Sequence, residues 1–378
     1  MSDKSIKIGV LFSQSGPMAV TECAHLQGIM LACEEINSSG GINGTPIDPI
    51  ILDPKGNDAK YAQYATELIL KHRVNSIFGC CLSSSRKAVV PIVERYNGIL
   101  FYPSVYEGFE YSTNVIYGGA VPNQMVLPLL EYIFENYGRK ITLIGSDTLY
   151  SREINRIVSE FLQSSNGTIL SEIYLPLGST YEQTEETLND IDFGDSVAIL
   201  STVVGEDSVT LYNAFSKHEL SKTGVRIASL TTTESELGKM SPESRSDHIS
   251  VSPYFGSLKT AQNNAFVCAF QKRFGEDSIP GVYSEVCYSM IHLFANATCN
   301  CDWTETDNVL AALSGSVFKG PSGDLFIDME TNHFTLRPLI GKSTKQGSFD
   351  IIYKSPQVVR ADPYLVSYDR SVKGQLTG

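Results

Sequence analysis

Hydroxyls and phenols gather where the strands of this chain are expected to end. The stretch GCCLSSSRKAVVPIVERYNGILFYPSVYEGFEYSTNVIYGG, from Gly79 to Gly119, reads as strand, polar turn, helix, strand and a long polar-aromatic loop. Two successive strands in it close on Ser83-Ser84-Ser85 and on Tyr102, Ser104 and Tyr106. Comparable clusters follow other strands: Ser13-Gln14-Ser15-Gly16, Ser146-Asp147-Thr148-Leu149-Tyr150, Thr202, and Thr231-Thr232-Thr233-Glu234. Ser, Thr and Asp also lead at helix N-caps, so capping accounts for any one cluster taken alone. Six clusters divided between the two halves of the chain argue instead for a ligand surface, because ligands of open parallel sheets sit outside the carboxyl ends of the strands. Its chemistry is hydrogen bonding rather than charge. No Arg or Lys stands at the centre of a cluster, although Arg86 and Arg152 lie one turn in. A carboxylate or phosphate would want a bidentate Arg. A neutral polar ligand wants paired donors and acceptors, since a buried unpaired amide is costly, and Tyr rings supply an apolar wall with a polar tip.

Catalytic signatures are missing from the sequence. There is no G-x-x-x-x-G-K-[ST], no G-x-G-x-x-G after the first strand, no H-E-x-x-H and no G-x-S-x-G. No cofactor and no metal are expected, and the chain reads as a non-enzyme. The six histidines, His25, His72, His218, His248, His292 and His333, show no metal spacing and read as surface or capping residues. The eight cysteines, including Cys80-Cys81 and Cys299-Asn300-Cys301, form no Cys-x-x-Cys pair and read as free, mostly buried thiols. A net charge of −13 over 378 residues makes direct nucleic-acid binding improbable, because phosphate recognition needs a basic face. No apolar run is long enough for a membrane span. The start, MSDKSIKIGVLF, runs directly into a strand and lacks the pattern of a secretory signal. A cytoplasmic location is the expectation, or a periplasmic one if a signal has been removed.

The elements that must position these clusters alternate. Strands are expected at 6–12, 47–52, 74–78 and 99–102, with helices at 24–37, 59–71 and 85–96 between them. The pattern restarts after Asn123, with helices at 125–137, 152–163, 182–191 and 207–217 and strands at 140–145, 168–175, 196–201 and 225–230. The chain is expected to cross back near 249–254, followed by helices at 262–274, 283–297 and 305–313 and short strands at 324–327, 335–341 and 348–353. Such βαβ repetition means parallel sheets covered on both faces. The fold class is therefore α/β: two doubly wound parallel-sheet lobes, 1–122 with 254–330 and 123–253 with 331–378, forming a clamshell with a ligand in the interlobe cleft.

One stretch carries a resemblance. RKAVVPIVERYNGILFYPSVYEGFEYSTNVIYGGAVPNQ (86–124), with ITLIGSDTLYSREIN (141–155), LSTVVG (200–205), ASLTTTESE (228–236), VSPYFGS (251–257) and SPQVVRADPY (355–364), resembles the amide-sensing negative regulators of aliphatic amidase operons. Urea-binding subunits of ABC transporters share the 86–124 pattern, and the wider class is the type I periplasmic-binding-protein fold. The resemblance implies a binding protein without enzyme activity. It would sense short aliphatic amides such as acetamide, hold an RNA-binding antiterminator inactive, release it when ligand arrives, and form a homodimer. Carried over by position, the pocket would use Ser83 and Ser104 on the amide, Tyr102 and Tyr150 closing over it, and Thr231-Thr232, with Tyr106 nearby; Thr202 joins them as a strand-end hydroxyl. Cys81 and Thr148 stand where the family has bulky tyrosines, and Val105 where it has proline. That implies a larger or differently hydrated pocket. The alternative on the same resemblance is the substrate-binding subunit of a urea or short-chain amide transporter.

Overall fold

The computed structural model of the chain describes residues 5–367. The first strands are β1 (Ile6–Leu11), β2 (Ile47–Leu52), β3 (Ser76–Gly79), β4 (Ile99–Tyr102) and β5 (Val115–Tyr117), separated by helices α1 (Ala19–Ser38), α2 (Asp58–Leu70) and α3 (Ser83–Arg95). Helix α4 (Pro122–Asn136) then leads into β6 (Lys140–Ser146), α5 (Leu149–Ser164), β7 (Thr168–Leu175), α6 (Tyr181–Asp190), β8 (Ala198–Thr202), α7 (Glu206–Lys217), β9 (Arg226–Ser229), α8 (Glu234–Leu237), α9 (Pro242–Arg245) and β10 (Ile249–Ser252). Helices α10 (Ala261–Phe274), α11 (Val282–Thr298) and α12 (Thr306–Leu313) precede β11 (Val317–Gly320), β12 (Gly323–Asp328), β13 (His333–Phe334), β14 (Leu339–Ser343) and β15 (Phe349–Lys354).

These elements divide into two compact units. The first takes in the chain through Val105, then Glu110–Gly119 and Leu258–Thr335; the second takes in Tyr106–Phe109, Ala120–Ser257 and the chain from Leu336 onward. Each unit is built on one sheet, ordered β11-β12-β13-β5-β4-β3-β1-β2 in the first and β15-β14-β10-β9-β8-β6-β7 in the second. Five parallel strands form the body of each, β2-β1-β3-β4-β5 and β7-β6-β8-β9-β10; at one edge the first sheet adds β13 in parallel and then β12 and β11 antiparallel, and the second adds β14 and β15 antiparallel. The two runs share one topology: the order reverses between the unit's first and third strands, which is the switch point where open α/β sheets bind ligands. The α/β class with two parallel-dominated sheets is thus as expected from the alternation of elements.

Burial explains the elements. β1, β3, β4 and β5 read as almost continuous apolar runs because both faces of the sheet are covered. In the first unit, Phe78 stacks on Phe101 at 4.3 Å and both meet the edge of Phe294 from α11 at 5.8 and 5.9 Å. Helix α11 is buried along most of its length and crosses α1 where Gly28 faces Ser284, so closely that a Cβ on Gly28 would come within 2.0 Å of the Ser284 carbonyl oxygen. In the second unit α5 presents Ile154, Ile157, Val158, Phe161 and Leu162 as one apolar stripe.

Several local expectations change. The segment 103–119 is not all loop: β5 adds a parallel strand beside β4. Helix α1 begins at Ala19 rather than 24, and α3 begins at Ser83 rather than 85. The strand expected at 335–341 is two pieces. His333 pairs with Tyr117 in the first sheet, and Leu339–Ser343 pairs with β10 in the second, because Arg337-Pro338 interrupts the ladder. The histidines are also misread in part. His218 caps a short helix as expected, but His25, His248 and His333 are buried.

Candidate functional site

In the first unit the rim at the carboxyl ends of β1, β3 and β4 gathers Cys81, Ser83, Tyr102 and Ser104. Strand β3 lies so close to β1 that a Cβ on Gly79 would meet Leu11 at 2.7 Å, and the chain then turns through Cys80 with φ of 70°. That left-handed turn brings the Cys81 carbonyl to the Tyr102 hydroxyl, which donates to it at 2.7 Å. Ser104 Oγ lies 3.0 Å from His25 Nε2, while His25 Nδ1 lies 2.8 Å from the Thr21 carbonyl. A carbonyl can only accept, so Nδ1 carries the ring proton and Nε2 accepts from Ser104. The hydroxyl proton is therefore committed inward and the serine oxygen offers lone pairs, the arrangement that suits an incoming N–H. Burial pushes His25 down to about 3, so the ring is neutral; it stacks on Phe12 at 4.8 Å and lies 4.6 Å from Tyr283.

Arg86 is the charged residue of this rim. Its side chain is completely buried, 4.9 Å above the Tyr102 ring, and its Nη1 donates to Ser83 Oγ at 3.3 Å. Its Nε bonds Glu110 Oε1 at 2.9 Å, and Lys87 and the Tyr117 hydroxyl reach the same carboxylate at 3.2 and 3.1 Å. Burial works against the charge on Glu110, yet the Arg86 and Lys87 cations hold its carboxyl below the ordinary value. The guanidinium is thus neutralised inside the chain. Ser13, at the end of β1, is tied into a separate buried network: its amide donates to Glu22 Oε2 at 2.5 Å, the Tyr61 hydroxyl donates to the same oxygen, and Ser13 Oγ accepts from the Gly56 amide at 2.8 Å. Burial raises the Glu22 carboxyl to about 7. The hydroxyl clusters pointed to Ser13 but not to Glu22, Tyr61, His25 or Glu110, none of which carries a spacing signature.

The second unit has its own rim at the ends of β6, β8 and β9, and to this unit Tyr106, Thr148, Tyr150, Thr202, Thr231 and Thr232 belong. Thr148 Oγ1 accepts from the Ser151 amide at 3.2 Å and so caps α5. Tyr150, in the first turn of α5, is buried, and its hydroxyl oxygen has no hydrogen-bond partner among the described residues. Burial, with the Glu107 charge added, holds the phenol above its ordinary value, so it is a neutral donor. Thr202 Oγ1 donates to Asn155 Oδ1 at 3.3 Å, and its carbonyl accepts from Ser151 Oγ at 2.7 Å. Thr231 Oγ1 donates to the Val203 carbonyl at 2.6 Å, and the amides of Thr231 and Thr232 both donate to Ser229 Oγ. Tyr106 is buried in the short segment Tyr106–Phe109. Arg152 is exposed and pairs with Asp147 at 2.8 Å. Two residues quoted within sequence motifs but given no role there stand at this rim: Gly205, whose φ of 62° and ψ of −141° suit only glycine at the start of α7, and Glu234, the last residue of the Thr231–Glu234 cluster, buried with Oε1 accepting from the Gly256 amide at 2.9 Å and Oε2 without a partner among the described residues. Burial raises the Glu234 carboxyl to about 8.

The chain matches the family model described as periplasmic binding protein domain over residues 6–370. A limonene hydroxylase of Geobacillus stearothermophilus is 33% identical over 121 residues, 32% of this chain and 22% of that protein. The Leu/Ile/Val-binding protein homolog 7 of Brucella abortus is 27% identical over 225 residues, 54% of this chain and 53% of that protein. The chain thus spans about a fifth of the first relative's length and about half of the second's. Among solved structures, the branched-chain amino acid transporter substrate binding protein of Streptococcus pneumoniae, in complex with isoleucine, superposes with a TM-score of 0.78 at 21% identity, covering 94% of this chain and 99% of that one.

Proposed function

Since the chain belongs to the periplasmic binding protein domain family, whose members are built to bind small solutes, we propose that this member recognises a small neutral amide or urea and acts as a sensor rather than an enzyme. The observation that carries the reading is the charge balance of the first unit's rim. Among the described residues its buried guanidinium, Arg86, pairs with Glu110 and lies against Ser83 and Tyr102, with Ser104 on the same rim. Ser104, its proton committed to His25, accepts an N–H. Isoleucine, the ligand of the Streptococcus pneumoniae protein, carries a carboxylate, for which a neutralised arginine is a poor partner.

Acetamide has four heavy atoms. At a ceiling of about 1.5 kcal/mol per atom its binding is no stronger than roughly −6 kcal/mol, a Kd of some tens of micromolar. That range suits an inducer sensor. The regulatory part of the proposal is that ligand binding releases a partner of the RNA-binding antiterminator kind by linkage, in a cytoplasmic homodimer. The alternative, favoured by the transporter solute-binding protein among the solved structures, is a periplasmic subunit that delivers urea or amides to a permease.

Calorimetric titration of the dialysed chain with acetamide, propionamide, butyramide, urea and isoleucine tests the reading. Saturable micromolar binding of an amide without ammonia release is the expected result. Tight binding of urea alone moves the assignment to transport, and binding of isoleucine with no response to any amide overturns it.

A further inference from the structure

We propose that His25 sets ligand specificity: by taking the Ser104 hydroxyl proton it fixes that serine as an acceptor, so the first unit's rim selects molecules that bring an N–H to it over isosteres that bring acceptors alone. The inference rests on the amide reading and names the residue that enforces it.

The ring of His25 is held in one orientation and one tautomer. It is fully buried in α1, with the Phe12 ring at 4.8 Å and the Tyr283 ring at 4.6 Å. The helix is itself fixed against α11, where Gly28 meets the Ser284 backbone and Ser284 Oγ donates to the Ala24 carbonyl at 2.9 Å. Nδ1 lies 2.8 Å from the Thr21 carbonyl, one turn back, and a carbonyl can only accept, so the ring proton sits on Nδ1. Burial pushes the ring down to about 3, so Nε2 gains no proton of its own at neutral pH. Nε2 is therefore a bare acceptor, 3.0 Å from Ser104 Oγ. Were Ser104 to turn its proton toward a ligand, a buried acceptor would be left unpaired, which costs more than an ordinary hydrogen bond contributes. The Cys80 carbonyl, 3.4 Å from the same hydroxyl oxygen, is the competing acceptor, but that separation is beyond the usual range of an O–H···O bond. A serine has one proton to give. With it directed at His25, the Ser104 lone pairs are what remains for a ligand. An amide or urea N–H fits them, whereas a ligand oxygen meets lone pair with lone pair. His25 need not touch the ligand. It acts through Ser104, as a positioning residue.

The test compares acetamide with acetone, which shares its shape and its carbonyl and lacks its N–H donors. Calorimetric titrations with acetamide, with acetone read by its displacement of acetamide, are run on the wild-type chain and on three variants. His25→Phe keeps a ring between Phe12 and Tyr283 but offers no acceptor, His25→Gln offers one again through its amide oxygen, and Ser104→Ala removes the hydroxyl. The wild-type chain is expected to prefer acetamide by about tenfold or more. In His25→Phe the freed Ser104 proton can serve an acceptor ligand, so the preference is expected to shrink about three- to tenfold. His25→Gln is expected to retain the preference, and Ser104→Ala to lose it. A folded His25→Phe with the wild-type ratio would mean that the Cys80 carbonyl suffices to hold the proton, and equal losses in His25→Phe and His25→Gln would mark a purely structural histidine. Either result overturns the inference, as does Ser104→Ala with the wild-type ratio or a wild-type chain that binds acetamide and acetone alike. Should His25→Phe fail to fold, nitrogen NMR of the wild-type imidazole decides: a proton on Nδ1 with Nε2 bare is expected, and a proton on Nε2 overturns the inference. A wild-type chain that binds neither acetamide nor urea overturns the functional reading instead, so the two failures are told apart.

Discussion

At the scale of single residues, Tyr150 is the clearest mark of a ligand. Native folds pair nearly all buried polar atoms, and the exceptions call for an explanation. Its hydroxyl oxygen is buried without a partner among the described residues, at the carboxyl end of β6 where the strand order of the second unit reverses. If the ligand supplies that partner, Tyr150→Phe loses one hydrogen bond in the bound state and none in the free chain. Amide affinity is expected to fall by about 0.5–1.5 kcal/mol, roughly three- to tenfold, while Tm stays level or rises because an unpaired hydroxyl has left the interior. Paired calorimetry of binding and of unfolding reads both numbers; a loss of Tm with unchanged affinity would place the hydroxyl in the folding of α5. The strand-end positions of Ser83, Tyr102, Ser104 and Tyr150 were legible in the sequence because hydroxyls after a strand are a local pattern. His25 and Glu110 were not. A single histidine in a helical stripe looks the same whether it faces water or Ser104, and Glu110 acquires its meaning only when a loop folds back on α3.

Elements show the same division between local and tertiary information. The alternation of strands and helices was readable throughout because runs of five or more residues with a fixed period leave a signal. β5 was not, since Val115–Tyr117 has three residues in a polar stretch and is a strand only because β4 lies beside it. Glycine positions are equally silent in one sequence, yet they set how closely elements approach. Gly28 of α1 lies against the backbone of Ser284 in α11, where Ser284 Oγ also donates to the Ala24 carbonyl at 2.9 Å. Gly28→Ala would set a methyl 2.0 Å from the Ser284 carbonyl oxygen, which no side-chain rotation relieves. The two helices must separate, and overpacking of this kind costs about 1–3 kcal/mol or more. The expected result in a denaturant titration is a lower midpoint with little change in slope; a midpoint equal to wild type would mean that the crossing is looser than the backbone geometry implies.

For the molecule as a whole, buried titratable groups of opposite kinds give stability a defined pH profile. His25, His248 and His333 are lowered by burial from 6.5 to about 3, 4 and 4. The unfolded chain takes up their protons more readily than the folded one, so their contribution is complete above pH 6.5 and is lost as pH falls from there toward 4. Glu22, Glu131 and Glu234 are raised by burial from 4.5 to about 7, 7 and 8. There the folded state keeps protons that the unfolded chain has released. Their contribution is complete below pH 4.5 and is lost as pH rises through the folded values. Between 4.5 and 6.5 the two sets oppose each other; above 6.5 the histidines are neutral in both states and only the acids act. Tm is therefore expected to fall from pH 6.5 to 8, with each fully buried acid contributing at most about 1.4 kcal/mol per pH unit and the half-buried Glu131 less. Glu22 and Glu131 have largely ionised by the top of that window, where Glu234 still acts together with Glu285, whose carboxyl burial also raises. Glu234→Gln keeps an acceptor for the Gly256 amide and removes the titration, so it should flatten the fall from pH 6.5 to 8 and raise Tm there, leaving Tm below pH 4.5, where the carboxyl is protonated in both states, little changed. Glu22 lies in the first unit and Glu234 in the second. If the units melt in separate transitions, the variant should move only that of the second, and a profile equally steep in wild type and variant would show that Glu234 is ionised in the folded chain across the whole range.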